Sequence, residues 1–461
     1  MRKLAVALLV SGSSLGFAAP ASAQETVAVA AELARLRARV EQLEARLAGG
    51  GATRPTNELA AAQPAAQPTA PPPAPAPAPR ENSGTVFRGA PQFSSGGWSF
   101  KPRGRLQYDF GTVGSPEGIV DRGLGFGNEL RRARLGVEGS IPGGFGYVFE
   151  LDFADNNVEI TDAILTYRAS PRTTLTVGQH NNFQSLEELT SSRFTSFIER
   201  AAFTDAFNFE RRVGLSVVYS DGPLFLQSGV FTDNIADLDN DENNSAGVDG
   251  RIVFAPKAGD TQLHFGASGH YRSNGDLFDT GATTRYRQRP QVHFTDTRFI
   301  STPALRVEDE ASYGLEAAVI RGRFHAAAEV QWLSADSPTA SPTFFGVYLE
   351  AGIFLTGESR GYRNGRFDRT SVRRPVGGGD NAGAGAFQLN FRYDHLDLNS
   401  AGILGGSQNG YFASLIWIPQ DYVRFMLNTG HLRYGNGAVP AADGDRSYGV
   451  NVVAARAQID F

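Results

Sequence analysis

Arginine carries the chemistry this sequence can offer. Of 43 basic residues, 40 are arginine, and Lys3, Lys101 and Lys257 are the lysines. Many arginines alternate with apolar residues. Arg103 and Arg105 oppose Leu106 and Tyr108, and Arg132 and Arg134 oppose Leu135 and Val137. Arg392 lies between Phe391 and Tyr393, Arg424 between Val423 and Phe425, and Arg456 among Val453, Ala455 and Ala457. In an extended strand successive side chains point to opposite faces, so these arginines share the face away from the apolar row. A guanidinium stays charged at any relevant pH and offers paired donors to phosphate or carboxylate. Cations on the inside of a closed sheet would suit the passage of small inorganic anions. The same arginines could instead pair with Glu138, Glu150, Asp152 and Asp394 and brace a wall. Arg131 falls on the apolar parity. An arginine facing lipid at the midplane costs roughly 2–4 kcal/mol, so Arg131 is expected at a rim or a strand irregularity.

Two long connections add further candidates. Residues 181–212 carry Arg193, Arg200, Arg211 and Arg212 among Phe, Ser and Thr. Residues 357–385 carry Arg360, Arg363, Arg366 and Arg369, spaced by three. Loops held on a rigid scaffold are where selectivity usually resides, so both are expected as constriction elements. Asp237, Asp239 and Asp241 resemble the start of a calcium loop, but Glu242 stands where glycine is required and Val248 where a bidentate glutamate is required. No nucleophile-elbow or metal-hydrolase spacing is present. An enzyme, a cofactor and a bound metal are therefore not expected.

From about Trp98 to the end, the pattern has period two: Phe145, Tyr147, Phe149, Leu151 and Phe153 form one row with Glu150 and Asp152 between them, and Phe387, Leu389, Phe391 and Tyr393 another. A soluble sandwich would bury the apolar rows in a core; an outer-membrane barrel would turn them to lipid and line its lumen with the polar rows. Charges in mid-strand and a terminal aromatic strand ending in Phe461 favour the barrel. Sixteen strands can be placed between about 98 and 461, the even number a closed bacterial barrel needs. With both chain ends in the periplasm, short turns such as Ile141–Gly144 and Ser220–Pro223 fall on that side. The loops 181–212 and 273–310 then fall outside. Residues 357–385 break this rule, being long on the periplasmic side, and are expected to fold into the pore. The fold class is thus all-β: a sixteen-stranded antiparallel transmembrane barrel over residues 98–461.

The remainder of the 461 residues, 41% hydrophobic and 20% charged, sets the context. Residues 1–23 read as a signal peptide, with Arg2 and Lys3, an apolar run Leu4–Val10 and an Ala21-Ser22-Ala23 cleavage pattern. Removing it takes the net charge from −5 to about −7, which argues against nucleic acid as a partner. The absence of cysteine excludes disulfide scaffolds and thiolate metal sites, and fits an oxidising compartment. Residues 24–50 read as a coiled-coil helix, with Leu33, Val40 and Leu47 at a, and Val29, Leu36 and Leu43 at d. Flanking charges give attractive Glu32–Arg37 and Arg39–Glu44 pairs in a parallel homo-oligomer; the alternative is a single amphipathic helix. Residues 51–97 read as a Pro/Ala-rich linker and lead-in, semi-rigid over Pro71–Pro79. This arrangement also allows a structural tether that grips the cell wall through the coiled coil while the barrel sits in outer-membrane lipid and lipopolysaccharide.

Several stretches resemble one family. They are Asn128–Gly139 (NELRRARLGVEG), Tyr147–Ala154 (YVFELDFA), Leu186–Arg193 (LEELTSSR) with Glu199-Arg200, Leu355–Tyr362 (LTGESRGY) with Gly365–Asp368 (GRFD), and the closing Arg456–Phe461 (RAQIDF). Together they are similar to the phosphate-selective porin O and P family. The resemblance implies a sixteen-stranded homotrimeric outer-membrane channel with loops folded inward to a central anion site. On it, Arg105, Arg131, Arg132 and Arg134 would be wall positions and Arg193 and Arg200 would lie on the inward loop. Strongly phosphate-selective members place lysines at that site, whereas only Lys101 and Lys257 would remain here. Either arginine has taken over or the channel is a more general anion pore.

Overall fold

The computed structural model describes residues 84–461 apart from 88, 239–244, 276–280 and 378. The signal-peptide and coiled-coil segments and residues 51–83 of the Pro/Ala segment lie outside the described residues, as do Asp239 and Asp241.

Sixteen antiparallel strands form the wall. They are β1 (Trp98–Val113), β2 (Gly125–Ile141), β3 (Phe145–Asp152), β4 (Glu159–Arg168), β5 (Thr173–Asn181), β6 (Arg211–Asp221), β7 (Leu224–Phe231) and β8 (Ala246–Phe254), followed by β9 (Thr261–Ser273), β10 (Asp309–Arg321), β11 (Phe324–Asp336), β12 (Thr343–Phe354), β13 (Ala386–Ser400), β14 (Ile403–Gln420), β15 (Val423–Gly435) and β16 (Tyr448–Asp460). Each pairs with its neighbour in sequence, and β16 pairs with β1 from Val452↔Val113 to Asp460↔Arg105. The sixteen-stranded wall therefore closes on itself, which removes the pairing hazard of an open sheet. The seam is also held by charge: Arg456 and Asp109 are cross-strand partners joined by two hydrogen bonds of 2.6 Å.

The outer face carries the apolar rows, with Leu106, Tyr108, Phe110, Leu349, Phe391, Phe425 and Leu427 exposed. Aromatic residues gather at two levels. Toward the short-turn end, Trp417 stacks between Phe387 (6.1 Å) and Phe425 (5.4 Å). Toward the other end, Tyr313–Trp332, Trp332–Phe345 and Tyr393–Tyr411 rings lie 5.3, 5.5 and 5.4 Å apart. Two girdles flanking an apolar band are the signature of a barrel set in a bilayer.

Phe461 continues the seam: its backbone N–H donates to the Gly104 carbonyl at 3.0 Å and its carbonyl accepts from Gly104 N–H at 3.1 Å. Its ring lies so close that a β-carbon at Gly104 would meet Cζ at 2.3 Å. Before β1, residues Gly84–Phe87 and Pro91–Ser95 form a hairpin that pairs onto the start of β1 at Phe93↔Phe100. The Pro/Ala composition upstream gives no hint of it.

The apolar core sits inside the barrel. Phe197, Phe203, Phe207, Tyr286, Phe299 and Ile300, all from loops, pack against inward-facing Leu396, Leu432, Val450 and Val452. Two expectations are corrected here. The lumen is not polar throughout, because loops that enter it bring apolar side chains that need an apolar wall. Residues 273–310 do not simply lie outside, since their Tyr286, Val292, Phe299, Ile300, Leu305 and Val307 are buried in this core.

Candidate functional site

Two inserted segments meet in the lumen. The first, between β5 and β6, contains two single-turn helices, α1 (Leu186–Leu189) and α2 (Ala202–Ala206). A four-residue helix leaves its N–H and C=O groups unpaired unless something outside supplies partners. Here Glu329 on β11 accepts the N–H of Leu186 (2.8 Å) and of Glu187 (2.7 Å), and the Ser185 hydroxyl accepts that of Glu188 (3.1 Å). At the other end, Arg200 donates to the carbonyls of Glu187, Glu188 and Thr190 at 3.0–3.1 Å. Asp394 on β13 accepts the N–H of Ala202 at the start of α2, at 2.8 Å. The loop thus crosses from β5 to carboxylates on the far wall.

The second segment, between β12 and β13, folds inward as the sequence suggests. Gly361–Arg363 and Arg366–Asp368 pair as a two-stranded hairpin closed by Asn364 (φ 52°) and Gly365 (φ 72°). Positive φ at both central residues is the type I′ pattern that Asn-Gly favours. At its tip the Gly365 carbonyl accepts from Arg251 of β8 at 2.9 Å, and Tyr362 OH lies 2.6 Å from His264 Nδ1.

The twelve arginines singled out by sequence fall into three groups. Some are sealed in ion pairs. Arg392 bonds Glu187 (2.6 Å) and Glu350 (2.7 Å), Arg360 bonds Glu350 (2.9 Å), and Arg456 bonds Asp109 and approaches Glu199 at 3.4 Å. These brace the loops against the wall. Others are paired but keep part of their surface open: Arg131 to Glu199 (3.1 Å), Arg134 to Asp152 (2.7 Å), Arg193 to Asp460 (3.6 Å), Arg200 to Glu188 (3.4 Å) and the exposed Arg363 to Asp368 (2.8 Å). The third group has no ion pair among the described residues. Arg105 donates to Ser192 Oγ (2.6 Å), Arg132 to Gln107 (3.0 Å), Arg366 to the Leu189 carbonyl (3.5 Å), and Arg424 to the carbonyls of Arg193 (2.8 Å) and Thr195 (2.6 Å). Arg105 and Arg424 each also keep a buried Nε without a partner.

Arg131 is the irregularity its parity requires. Gln107 pairs with Arg132 and Tyr108 with Leu130, so Arg131 is the extra residue of a β-bulge. The bulge lets Arg131 and Arg132 both turn inward while Leu130 faces out. Beside them, burial alone would raise the Glu199 carboxyl, but Arg131, Arg456 and Arg132 outweigh it and hold it well below the usual carboxylate range. Burial, with repulsion from Arg251, lowers the pKa of the Arg366 guanidinium from its ordinary value.

Sequence reasoning passed over Arg251, paired with Glu316 at 2.6 Å, and the acids Glu187, Glu329 and Glu350. Parity would have found three of the four acids named here: Glu316, Glu329 and Glu350 each sit on a strand between outward apolar residues. A small polar pocket, partly open to solvent, lies where the second segment meets the wall at the short-turn end, lined by Arg193, Arg360, Arg369 and Arg424 with Asp368, Asp421 and Asp460.

A closed sixteen-stranded wall, apolar outside and charged within, with loops folded into its lumen, defines an outer-membrane porin. Residues 100–461 match the family described as phosphate-selective porin O and P, and the chain belongs to that family. It is 50% identical over 477 residues to an uncharacterized protein of Caulobacter vibrioides, covering 99% of this chain and 95% of that one. It is 28% identical over 342 residues to Porin O of Pseudomonas aeruginosa, covering 67% of this chain and 74% of that one. Among solved structures it superimposes on the anion-selective porin from Comamonas acidovorans with a TM-score of 0.51, at 12% identity, over 79% of this chain and all of that one.

Proposed function

We propose that this porin passes small anions by passive diffusion, with phosphate or a related oxyanion preferred, and that the two inserted segments form its constriction. The carrying observation is the set Arg105, Arg132, Arg366 and Arg424, whose charges are not offset by an ion pair among the described residues. In a narrow lumen with low-dielectric walls, such charges raise the local concentration of anions even in a chain of net negative charge. Binding has to stay modest for ions to leave, and hydrogen bonds from arginine, not a metal, would set it. Membership of a family described as phosphate-selective, and likeness to an anion-selective porin from Comamonas acidovorans, support the anion preference. Both chain ends lie in the periplasm in this reading, after removal of residues 1–23, and the heptad over 24–50 supports a homotrimer. The same heptad is what favours the second reading, a tether to the cell wall.

In a planar bilayer under a salt gradient, the reversal potential should report anion preference, and phosphate added to a chloride-filled channel should reduce the current saturably. A cation-selective wild-type channel overturns the proposal; a barrel without conductance favours the tether.

A further inference from the structure

On the outer face, near the end of the barrel away from the short turns, strands β13–β16 carry a polar patch where lipid-facing residues are expected. Asn409 Oδ1 accepts from Tyr393 OH at 2.8 Å and lies 3.0 Å from His395 Nδ1, and Asn451 Oδ1 lies 2.7 Å from His431 Nδ1. A carbonyl oxygen only accepts, so both imidazoles donate, and the amide N–H₂ groups of both asparagines make no hydrogen bond among the described residues. Arg433 stands between them, cross-strand partner of Asn409 on one side and Gly449 on the other. It is exposed and makes no hydrogen bond or ion pair among the described residues. Gly449 leaves the space beside it open, since a β-carbon there would approach only His431 closely, at 3.0 Å from Cε1. The acid on this face, Asp397, lies one pair nearer the strand end and accepts from the backbone and side chain of Asn399.

The patch is therefore a set of donors around one free cation. Its height follows from the strand: Asn409 lies eight residues along β14 from Trp417 of the turn-side girdle, which at 3.3 Å per residue and the usual tilt is roughly 20 Å along the membrane normal. An apolar band is about 25 Å tall, so the patch meets the bilayer where headgroups begin. From this geometry we infer that Arg433, Asn409 and Asn451 bind the phosphate of an outer-leaflet phosphorylated glycolipid, the lipid A part of lipopolysaccharide. The outer-leaflet assignment rests on the orientation read above, with the chain ends in the periplasm. The site is separate from the anion path, because it lies on the opposite face of the wall.

Native mass spectrometry of the full chain in detergent, titrated with lipid A carrying both phosphates and with the same lipid dephosphorylated, tests this. Wild type should retain the phosphorylated form about tenfold better than Arg433→Glu does, the scale of one charge-assisted contact, and should not discriminate for the dephosphorylated form. Arg433→Gln combined with Asn409→Ala should show the same loss if the charge reversal impairs folding. Equal retention by wild type and both variants overturns the site. So does conversion of a wild-type oligomer to monomers by Arg433→Glu, which would assign the face to a second copy of the chain. Orientation is read independently by labelling an Asp443→Cys variant on intact cells with an impermeant maleimide. Absence of labelling there defeats the orientation without touching the binding result.

Discussion

Arg392 and Glu187 are 205 residues apart in sequence and meet at 2.6 Å inside the barrel, one on a wall strand and the other in the helix of the loop that crosses to it. Glu350 completes the contact from the neighbouring strand at 2.7 Å. Removing one member of a buried pair leaves the other uncompensated, at a cost of about 3–5 kcal/mol. Arg392→Met should therefore release residues 182–210 from the wall. The expected readouts are a larger, noisier single-channel conductance and new protease cleavage within that loop, with the barrel still resistant to SDS. Unchanged conductance would show that the loop does not narrow the path.

Charge reversal separates path arginines from the rest. Arg132→Glu or Arg193→Glu should move the reversal potential toward cations, and Arg105→Gln should move it less. Arg433→Glu, on the outer face, should leave it close to wild type. Equal shifts from Arg132 and Arg433 would mean that total charge, not placement, sets selectivity.

The hairpin over residues 361–368 depends on positive φ at Asn364 and Gly365. Gly365→Val is expected to strain the turn by about 1–2 kcal/mol and to loosen its tip from Arg251. Phosphate block of chloride current should weaken severalfold while the amount of protein in the membrane stays the same. A variant with normal block would place the selective element elsewhere.

Acid should act late on the first loop. The folded-state pKa of Glu199 lies below its unfolded value of about 4.3, so its pairing with Arg131 and Arg456 contributes fully above that value and is lost only as pH falls through the lower one. Conductance is expected to hold steady down to about pH 4 and change below it, and Glu199→Gln should lose that acid transition. A wild-type transition near pH 6 would point to a different group.

Closure of the wall is tested at Gly104, against which the Phe461 ring packs. Gly104→Ala and Phe461→Ala should each lower the amount of inserted barrel, and the channels that do insert should conduct like wild type. Normal insertion of Gly104→Ala would mean that the ring has room to move.

Much of this was legible because a barrel wall obeys one rule. Period-two alternation locates the strands, separates Arg132 and Arg134 from Leu135 and Val137, and marks Arg131 as out of place. The unequal connection lengths point to 357–385 as an insertion into the pore. What alternation misses is whatever the lumen imposes. Leu396, Leu432 and Val450 face inward against loop residues, so apolar character stops reporting direction there. The hairpin at 361–368 is announced only by Asn364-Gly365, a local turn signal masked by the arginine spacing around it. The partners of α1 and α2 come from strands more than a hundred residues away, and no local pattern encodes such a pairing.

The bulge at Arg131 makes β2 a strand that can lose a residue without turning inside out. Deleting one residue elsewhere within a paired stretch inverts every side chain beyond it. Deleting Arg131 joins Leu130 to Arg132 in simple alternation, and the partners on β1 already stand in that register. Pairing with β3 begins only at Arg134, so that neighbour is undisturbed as well. The wall thus holds its second adjacent lumenal arginine as a removable insertion, one that chain-length variation could add or withdraw while the architecture around it stays whole.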